Sequence, residues 1–353
     1  MIDDAMINPF NTKPEAEFPH PIQPVPLWSE YNYFFGYDPV SQCGISMHVG
    51  REPYDPSIWR ATFGIYLPGG EELLVAKCSG RDGHARGAGA GPIRVTCVQP
   101  FRLWTLEFDG TAQPASRAEN MAAAHMDTPG ERVRFFLRFE GAAPFWDLHA
   151  LMKGQAWASE HYEQMCRVRG EIQFRGKTLA IDGGGVRDHS VGPRDYGAVV
   201  GDFWLNMLFE NGAAIMAQTV RTEGNADIAR GYVFRNDGNP LEITEVVEGP
   251  VVNTVDTPRR SVEKDPMMEE ALRKFHFVIK TKRGLETIQG EIVHSVATSY
   301  IAPNDELLGT SFHLVDRGQP KALQLTESAT IYTWNGVKGV GTRERVARIA
   351  TLK

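Results

Sequence analysis

The sequence has few cysteines, no long apolar run and no excess of basic residues. Four cysteines occur in 353 residues, and no two have the C-x-x-C spacing of a metal or redox motif. We therefore expect free thiols in a cytoplasmic protein. No apolar run reaches the ~20 residues of a membrane span, and residues 1–13 lack the basic and apolar regions of a secretory signal. These features predict a protein with no membrane span and a core built without disulfides.

The charge balance argues against nucleic-acid binding. Lys and Arg total 37, Asp and Glu total 44, and the net charge is −7. A nucleic-acid footprint needs concentrated basic residues. The ten histidines form no H-E-x-x-H motif and no Cys-His zinc spacing. We expect no metal and no cofactor; the partner is a hydrophobic small molecule, and the oligomeric state is left open between monomer and homodimer.

Glycine and proline are abundant, with 35 and 22 residues. This frequency favours short elements joined by tight turns and disfavours a helical bundle. The prolines are dense in residues 1–27, which predicts an extended leader that wraps the surface or stays mobile.

Alternation with period two is the main pattern after the leader. Val133, Phe135, Leu137 and Phe139 fall on one face of a segment, and residues 104–108 and 275–279 alternate in the same way. Each pattern predicts a strand with one buried face. Turn dipeptides separate such segments at 69–70, 109–110, 175–176, 211–212, 237–238, 283–284 and 335–336. The sequence therefore predicts an all-β, antiparallel fold.

Two segments have helical features, residues 155–167 and 265–274. We place a boundary near the first, which gives a leader at 1–27 and β domains at 28–165 and 166–353. The second segment begins with Asp-Pro and carries acids early and bases late.

Residues 181–197 are the segment richest in chemically active side chains. Arg187, Asp188, His189, Arg194 and Asp195 lie there, followed by Tyr196, among glycines that imply a sharply shaped loop. A carboxylic acid near an apolar cavity can have a raised pKa and donate a proton, although a neighbouring arginine opposes this. The alternative is an Arg-Asp network that only joins the two halves.

This segment resembles the carotenoid 1,2-hydratase (hydroxyneurosporene synthase) and AttH-like superfamily. The pattern G-x-G-x-R-D-H-S-x-G-x-R-D-[YW] runs here from Gly183 to Tyr196, and Trp28–Phe34 and Gly50–Trp59 resemble the start of that superfamily. The resemblance implies two tandem lipocalin-like antiparallel β-barrel or sandwich domains with few short helices. It also implies a cofactor-free hydratase, or a related lyase or isomerase, acting on an isoprenoid-like alkene.

The chain departs from the hydratase pattern at two places. Val191 stands where the hydratases have Trp, and Met216-Ala217-Gln218 stands where they have a Tyr-x-Asp pair that includes the candidate proton donor. The acid must therefore come from elsewhere. The predicted catalytic residues are Asp188, His189, Asp195 and Tyr196. The predicted substrate-binding residues are Arg187, Arg194, Trp204, Met216 and Gln218.

Three functions remain open at this point. The first is a cofactor-independent acid-base enzyme, a hydratase or dehydratase, acting on an isoprenoid-like or aromatic alkene or alcohol. The second is a lipocalin-like protein that binds a lipophile without chemistry. The third is an isomerase or cyclase on a steroid- or terpenoid-like ligand, which would incorporate no solvent oxygen.

Overall fold

A computed structural model describes residues 4–122, 128–148, 159–224, 228–238, 240–248, 273–301 and 323–348. Strands dominate these residues, as predicted. The described helical elements are short: α1 (Asp4–Ile7), a 3-10 turn (Pro14–Glu17) and α2 (Arg117–Ala122). The chain divides into two compact units, Met1–Tyr196 and Gly197–Lys353, called unit 1 and unit 2 below.

The described part of unit 1 contains eleven strands. They are β1 (Trp28–Asp38), β2 (Cys43–Glu52), β3 (Asp55–Tyr66), β4 (Glu72–Gly80), β5 (Gly89–Ala90), β6 (Ile93–Gln99), β7 (Leu103–Ser116), β8 (Glu131–Gly141), β9 (Trp146–Asp147), β10 (Glu160–Phe174) and β11 (Lys177–Pro193).

Eight of these strands close into an antiparallel barrel. Their order is β4-β3-β2-β1-β11-β10-β8-β7, and β7 pairs back onto β4 between Glu72↔Ser116 and Val75↔Gln113. Strands β6 and β5 extend the sheet beyond β7, and β9 pairs with β10. Closure satisfies the hydrogen bonds of both edges that an open sheet would expose.

Aromatic residues fill the interior of the barrel. Phe63, Phe108 and Phe135 are in mutual contact, and the rings of Phe108 and Phe135 stack with centroids 5.4 Å apart. Phe34 packs against Trp104 and Phe139 elsewhere in the same core. Burying each such side chain contributes about 1.5–3 kcal/mol, so this packing is the main stabilisation of unit 1.

The residues of unit 2 that the structure describes form a nine-stranded antiparallel sheet that curves into a half-barrel. Its strands are β12 (Val199–Phe209), β13 (Ala214–Thr222), β14 (Ile228–Phe234), β15 (Leu241–Glu242), β16 (Glu245–Glu248), β17 (Lys274–Thr281), β18 (Gly284–Ile301), β19 (Leu323–Trp334) and β20 (Val337–Arg348). Their order is β15-β14-β13-β12-β20-β19-β18-β17-β16. Its core includes Phe203, Leu205, Met207, Phe277 and Tyr332.

The turn dipeptides are confirmed at six of the seven places. Arg175 and Gly176, with φ of 48° and 71°, join β10 to β11, and Asn335 and Gly336, with φ of 51° and 79°, join β19 to β20. Positive φ at both central residues is the primed hairpin geometry. The prediction at 109–110 was wrong, because Asp109 lies inside β7, where it pairs with Arg134 of β8.

The helix predicted at 155–167 was also wrong where the structure describes it. Residues from Glu160 onward form β10, and residues 161–166 are all buried. A strand buried on both faces shows no alternation, which removes the period-two signal. The helix predicted at 265–274 lies outside the described residues except for its last two positions; Lys274 begins β17.

The predicted domain boundary needs correction because it falls inside strand β10. A division at 165/166 would cut β10, whereas the compact units meet between Tyr196 and Gly197. Strands β10 and β11 belong to unit 1 because β11 pairs with β1 from Trp28↔Pro193 to Tyr37↔Gly184 and also pairs with β10. The leader has local structure at α1 and the 3-10 turn, and Glu17 is fully buried.

The four cysteines are free thiols, as expected. Burial raises the pKa of Cys43, Cys97 and Cys166 to about 12, so these thiols stay protonated. Among the described residues, no helix is long and apolar enough to cross a membrane.

Candidate active site

The Arg187–Ser190 segment lies in β11, and its side chains alternate between the two faces of the barrel wall. Arg187 pairs with Phe34 of β1, which packs in the barrel core. Successive side chains of a strand point to opposite faces. Arg187 and His189 therefore face the interior, and Asp188 and Ser190 face outward. Asp188 and His189, predicted to act together, lie on opposite sides of the barrel wall.

Arg187 is held by the leader. Its Nη1 and Nη2 donate to the two carboxylate oxygens of Glu17 at 2.9 and 2.7 Å, and Nη2 also donates to Gln164 at 2.8 Å. Burial opposes ionisation of Glu17, but Arg187 and hydrogen bonds from Trp104 and Phe101 hold the pKa of that carboxyl below its usual range. The predicted substrate-binding arginine thus anchors the leader inside the barrel.

His189 belongs to a second buried network. Its Nε2 lies 2.9 Å from Glu30 Oε1, and its Nδ1 lies 2.5 Å from the hydroxyl of Tyr162. Glu30 also accepts from the backbone and ring nitrogens of His20, at 2.9 and 3.0 Å, and from Arg51 at 3.0 Å. Burial opposes ionisation of Glu30, but its hydrogen bonds to His189, His20 and Arg51 lower the pKa of its carboxyl.

Among the described residues of unit 1, His20, Glu30 and His189 form a group that could hold a metal ion. Their donor atoms lie within 4.8 Å of one another. However, both rings already contact the same Glu30 oxygen, and the Arg51 guanidinium contacts the other. The positive charge of Arg51 would repel a divalent ion bound here. We therefore interpret the cluster as a hydrogen-bond network.

A different group of polar side chains lies on the outer face. His161 and Glu163 of β10 pair with Ser190 and Asp188 of β11. His161 Nδ1 lies 2.7 Å from Ser190 Oγ, and His161 Nε2 lies 2.9 Å from Glu163 Oε1. Asp188 Oδ1 accepts from the backbone N–H of Tyr33 at 3.2 Å. We call Asp188, His161, Glu163 and Ser190 the outer cluster.

Burial sets the protonation of the outer cluster. It raises the pKa of Asp188, with a further contribution from Glu163, and His161, His48 and Arg194 only partly oppose this shift. Burial lowers the pKa of His161 to about 4, so this ring is neutral at pH 7. A neutral ring that donates from Nε2 to Glu163 must accept from the Ser190 hydroxyl at Nδ1.

Asp188 differs from the other members in its access to solvent. His161, Glu163 and Ser190 are at most 6% exposed, whereas Asp188 is partly exposed. A carboxyl with a raised pKa, on a partly exposed residue beside a neutral histidine, can give a proton to a bound molecule and take one back.

The loop after β11 carries three further predicted residues. The Arg194 guanidinium lies 5.0 Å from the ring centroids of both Tyr31 and Tyr196, and it donates to the Tyr196 hydroxyl. Its charge also acts on Asp188. The structure thus brings Arg194 and Tyr196 together near Asp188, with Asp195 between them, partly exposed.

The three remaining predicted residues lie in unit 2. Trp204 of β12 pairs with Gln218 of β13, and Met216 occupies the same face two positions away. This face is opposite to the one that carries Leu205 of the core. Gln218 donates to Asp202 at 3.3 Å. Sequence reasoning missed Asp202, although period two places it on the same face as Trp204.

Sequence reasoning also missed the partners that come from the leader and from β1. Glu17, His20 and Glu30 meet β11 only through the fold, and no spacing in the sequence indicates this. For His161 and Glu163 a signal existed, because their separation of two residues places them on one face of a strand.

Residues 13–346 match the family described as a domain of unknown function, DUF7064. The chain belongs to this family. No curated protein matches its sequence.

Solved structures that share the fold include the following two. A putative AttH from Nitrosomonas europaea has a TM-score of 0.57 and 12% identity, over 92% of this chain and 93% of that one. Kievitone hydratase from Nectria haematococca has a TM-score of 0.50 and 11% identity, over 90% of this chain and 88% of that one. The predicted resemblance to the AttH-like superfamily, with tandem lipocalin-like domains, is therefore confirmed at the level of the fold.

Proposed function

We propose that this DUF7064 protein is a cofactor-independent acid-base enzyme of the hydratase or dehydratase type. Its substrate is a hydrophobic alkene or the corresponding alcohol, isoprenoid-like or aromatic. One observation carries the proposal: Asp188 is a partly exposed residue whose carboxyl has a raised pKa, and it lies beside the neutral His161. A protein named as a hydratase shares the fold, which agrees with this function.

The outer cluster supplies both proton transfers of an alkene hydration. The protonated Asp188 carboxyl gives its proton to one alkene carbon, and the electron pair of the double bond forms the new C–H bond. Water then bonds to the cationic carbon. The water proton passes through the Ser190 hydroxyl to His161 Nδ1, to which that hydroxyl already donates at 2.7 Å. With a pKa of about 4, His161 gives the proton up readily, and Asp188 is reprotonated.

The other residues of the site have supporting roles. Glu163 orients His161 through Nε2. Arg194 and Tyr196 border the outer cluster, where they would contact the polar end of the alcohol. His189 and Arg187 stabilise the barrel from inside and take no part in this scheme.

The test measures solvent oxygen in the product. The purified protein is incubated in ¹⁸O-labelled water with a panel of prenylated and phenylpropenoid alkenes, and products are analysed by mass spectrometry. We expect one ¹⁸O atom per product with the wild type and none with Asp188→Asn. Asp182→Asn is the matched control, because Asp182 is an exposed aspartate of the same strand that contacts Arg169. An active Asp188→Asn protein would refute the role of Asp188.

The same experiment separates the two alternatives. An isomerase or cyclase would convert its substrate without gaining ¹⁸O. A carrier would return every bound alkene unchanged, with or without Asp188. Either result would overturn hydration.

A further inference from the structure

A polar row crosses the interior face of unit 2. Ser295, Ser328, Arg343 and Leu205 are directly paired across β18, β19, β20 and β12. Directly paired residues of antiparallel strands share a face. Leu205 belongs to the apolar core, so Arg343 and the two serines also face the interior.

Arg343 is buried without a counter-charge. Its side chain is 8% exposed, and its guanidinium lies over the Phe275 ring at 5.1 Å. Within the described part of the chain, its Nε has no hydrogen-bond partner and no carboxylate forms an ion pair with it. Burial lowers the pKa of Arg343, and the Tyr332 hydroxyl is the group that opposes this shift.

Two serine hydroxyls lie beside Arg343 in this row. The hydroxyls of Ser295 and Ser328 lie 2.9 Å apart, next to Arg343 in the row. Aromatic and aliphatic core side chains adjoin this polar end.

An isolated buried guanidinium is costly, because an arginine keeps its charge and the interior solvates it poorly. Folded proteins pair such charges. We propose that unit 2 binds a monoanionic amphiphile whose carboxylate pairs with Arg343 and whose hydrocarbon part contacts the apolar core. A carboxylate fits the planar fork of a guanidinium, and one negative charge neutralises it. The apolar surroundings favour an organic anion over an inorganic one.

The test uses the full-length protein, delipidated and titrated with dansyl-labelled undecanoate. We expect saturable binding, displacement by oleate, and displacement by oleyl alcohol that is about tenfold weaker. Arg343→Met should weaken probe binding about tenfold and abolish the preference for oleate. Arg283→Met is the control, since Arg283 is an exposed arginine of unit 2 paired with Asp237.

Stability of the ligand-free protein gives a second, independent measurement. Arg343→Met should raise Tm, because it replaces an uncompensated charge by an apolar side chain of similar length. A lower Tm would show that Arg343 has a partner inside the protein, and would overturn the proposal. Equal probe binding by Arg343→Met and the wild type would also overturn it. Stabilisation of the wild type by inorganic phosphate as large as that by oleate would exclude the amphiphile.

Discussion

The guanidinium of Arg187 and the carboxylate of Glu17 form two parallel hydrogen bonds, of 2.9 and 2.7 Å, although 170 positions separate them in the chain. Both side chains are at most 2% exposed. Arg187 of the sequence motif therefore binds the leader to the barrel of unit 1.

Glu17→Gln should destabilise the protein by about 3–5 kcal/mol, because it leaves the Arg187 charge buried and unpaired. Urea unfolding at pH 7 measures this loss. Glu15→Gln is the control, since Glu15 is an exposed residue of the same 3-10 turn. The double variant Glu17→Met/Arg187→Met should recover most of the loss. A change below ~1 kcal/mol in Glu17→Gln would contradict a buried, desolvated pair.

His20 should make stability fall at alkaline pH. Burial opposes protonation of this ring, but Glu30 and Glu160 raise its pKa above the ordinary value. The folded state thus binds the His20 proton more tightly than the unfolded state does. The resulting contribution to the free energy of unfolding is complete below about pH 6.5 and is lost as the pH rises through the raised pKa. The unfolding free energy should fall between pH 5.5 and pH 8.5 more in the wild type than in His20→Gln. The exposed His276, changed to Gln, should behave as the wild type does.

Asp188→Asn should raise Tm at pH 8 and change it little at pH 4. Burial raises the pKa of Asp188, so ionisation is harder in the folded state, and the protein loses stability as pH rises from about 3.9. Asparagine removes that ionisation and can still accept from the Tyr33 N–H. If the ionised Asp188 carboxylate instead stabilised the fold through ion pairs, Asp188→Asn would have a lower Tm at pH 8. Differential scanning calorimetry at pH 4 and pH 8 distinguishes the two outcomes.

Hydration should slow as pH rises, because Asp188 must be protonated to act as the acid. Its raised pKa moves this alkaline limb of kcat/KM upward from the usual carboxyl range. Ser190→Ala should lower kcat about 100-fold, because it breaks the proton relay to His161. The alkaline limb of kcat/KM should stay at the same pH as in the wild type, because Asp188 is unchanged. If the alkaline limb shifted to another pH in Ser190→Ala, the group that titrates would not be Asp188.

Sequence patterns predicted the strands better than the domain boundary. Alternation at 133–139 and the Arg175-Gly176 and Asn335-Gly336 turns indicate local geometry, and the structure has each of them. The boundary depends on a long-range pairing, β1 with β11, that leaves no local trace. Strand β10 was hidden because neighbouring contacts bury both of its faces.

The candidate site was predicted only in part for a similar reason. The motif pointed to the correct strand, and the alternation of β11 explains why Asp188 and His189 cannot share a site. Asp188 lies beside His161 and Glu163 of β10 and accepts from Tyr33 of β1. His189 contacts Glu30 of β1 and Tyr162 of β10, and Glu30 in turn contacts His20 of the leader. Such juxtapositions arise from register and barrel closure, which composition and spacing do not encode.

The pairing of β1 with β11 also sets an order of events during synthesis. Strand β1 leaves the ribosome early, but its partner follows roughly 150 residues later, which takes on the order of ten to thirty seconds at ~5–20 residues per second. Until then Phe34 and its neighbours have an open strand edge beside them. The β1–β4 meander is therefore complete in the nascent chain well before the second edge of β1 finds its partner.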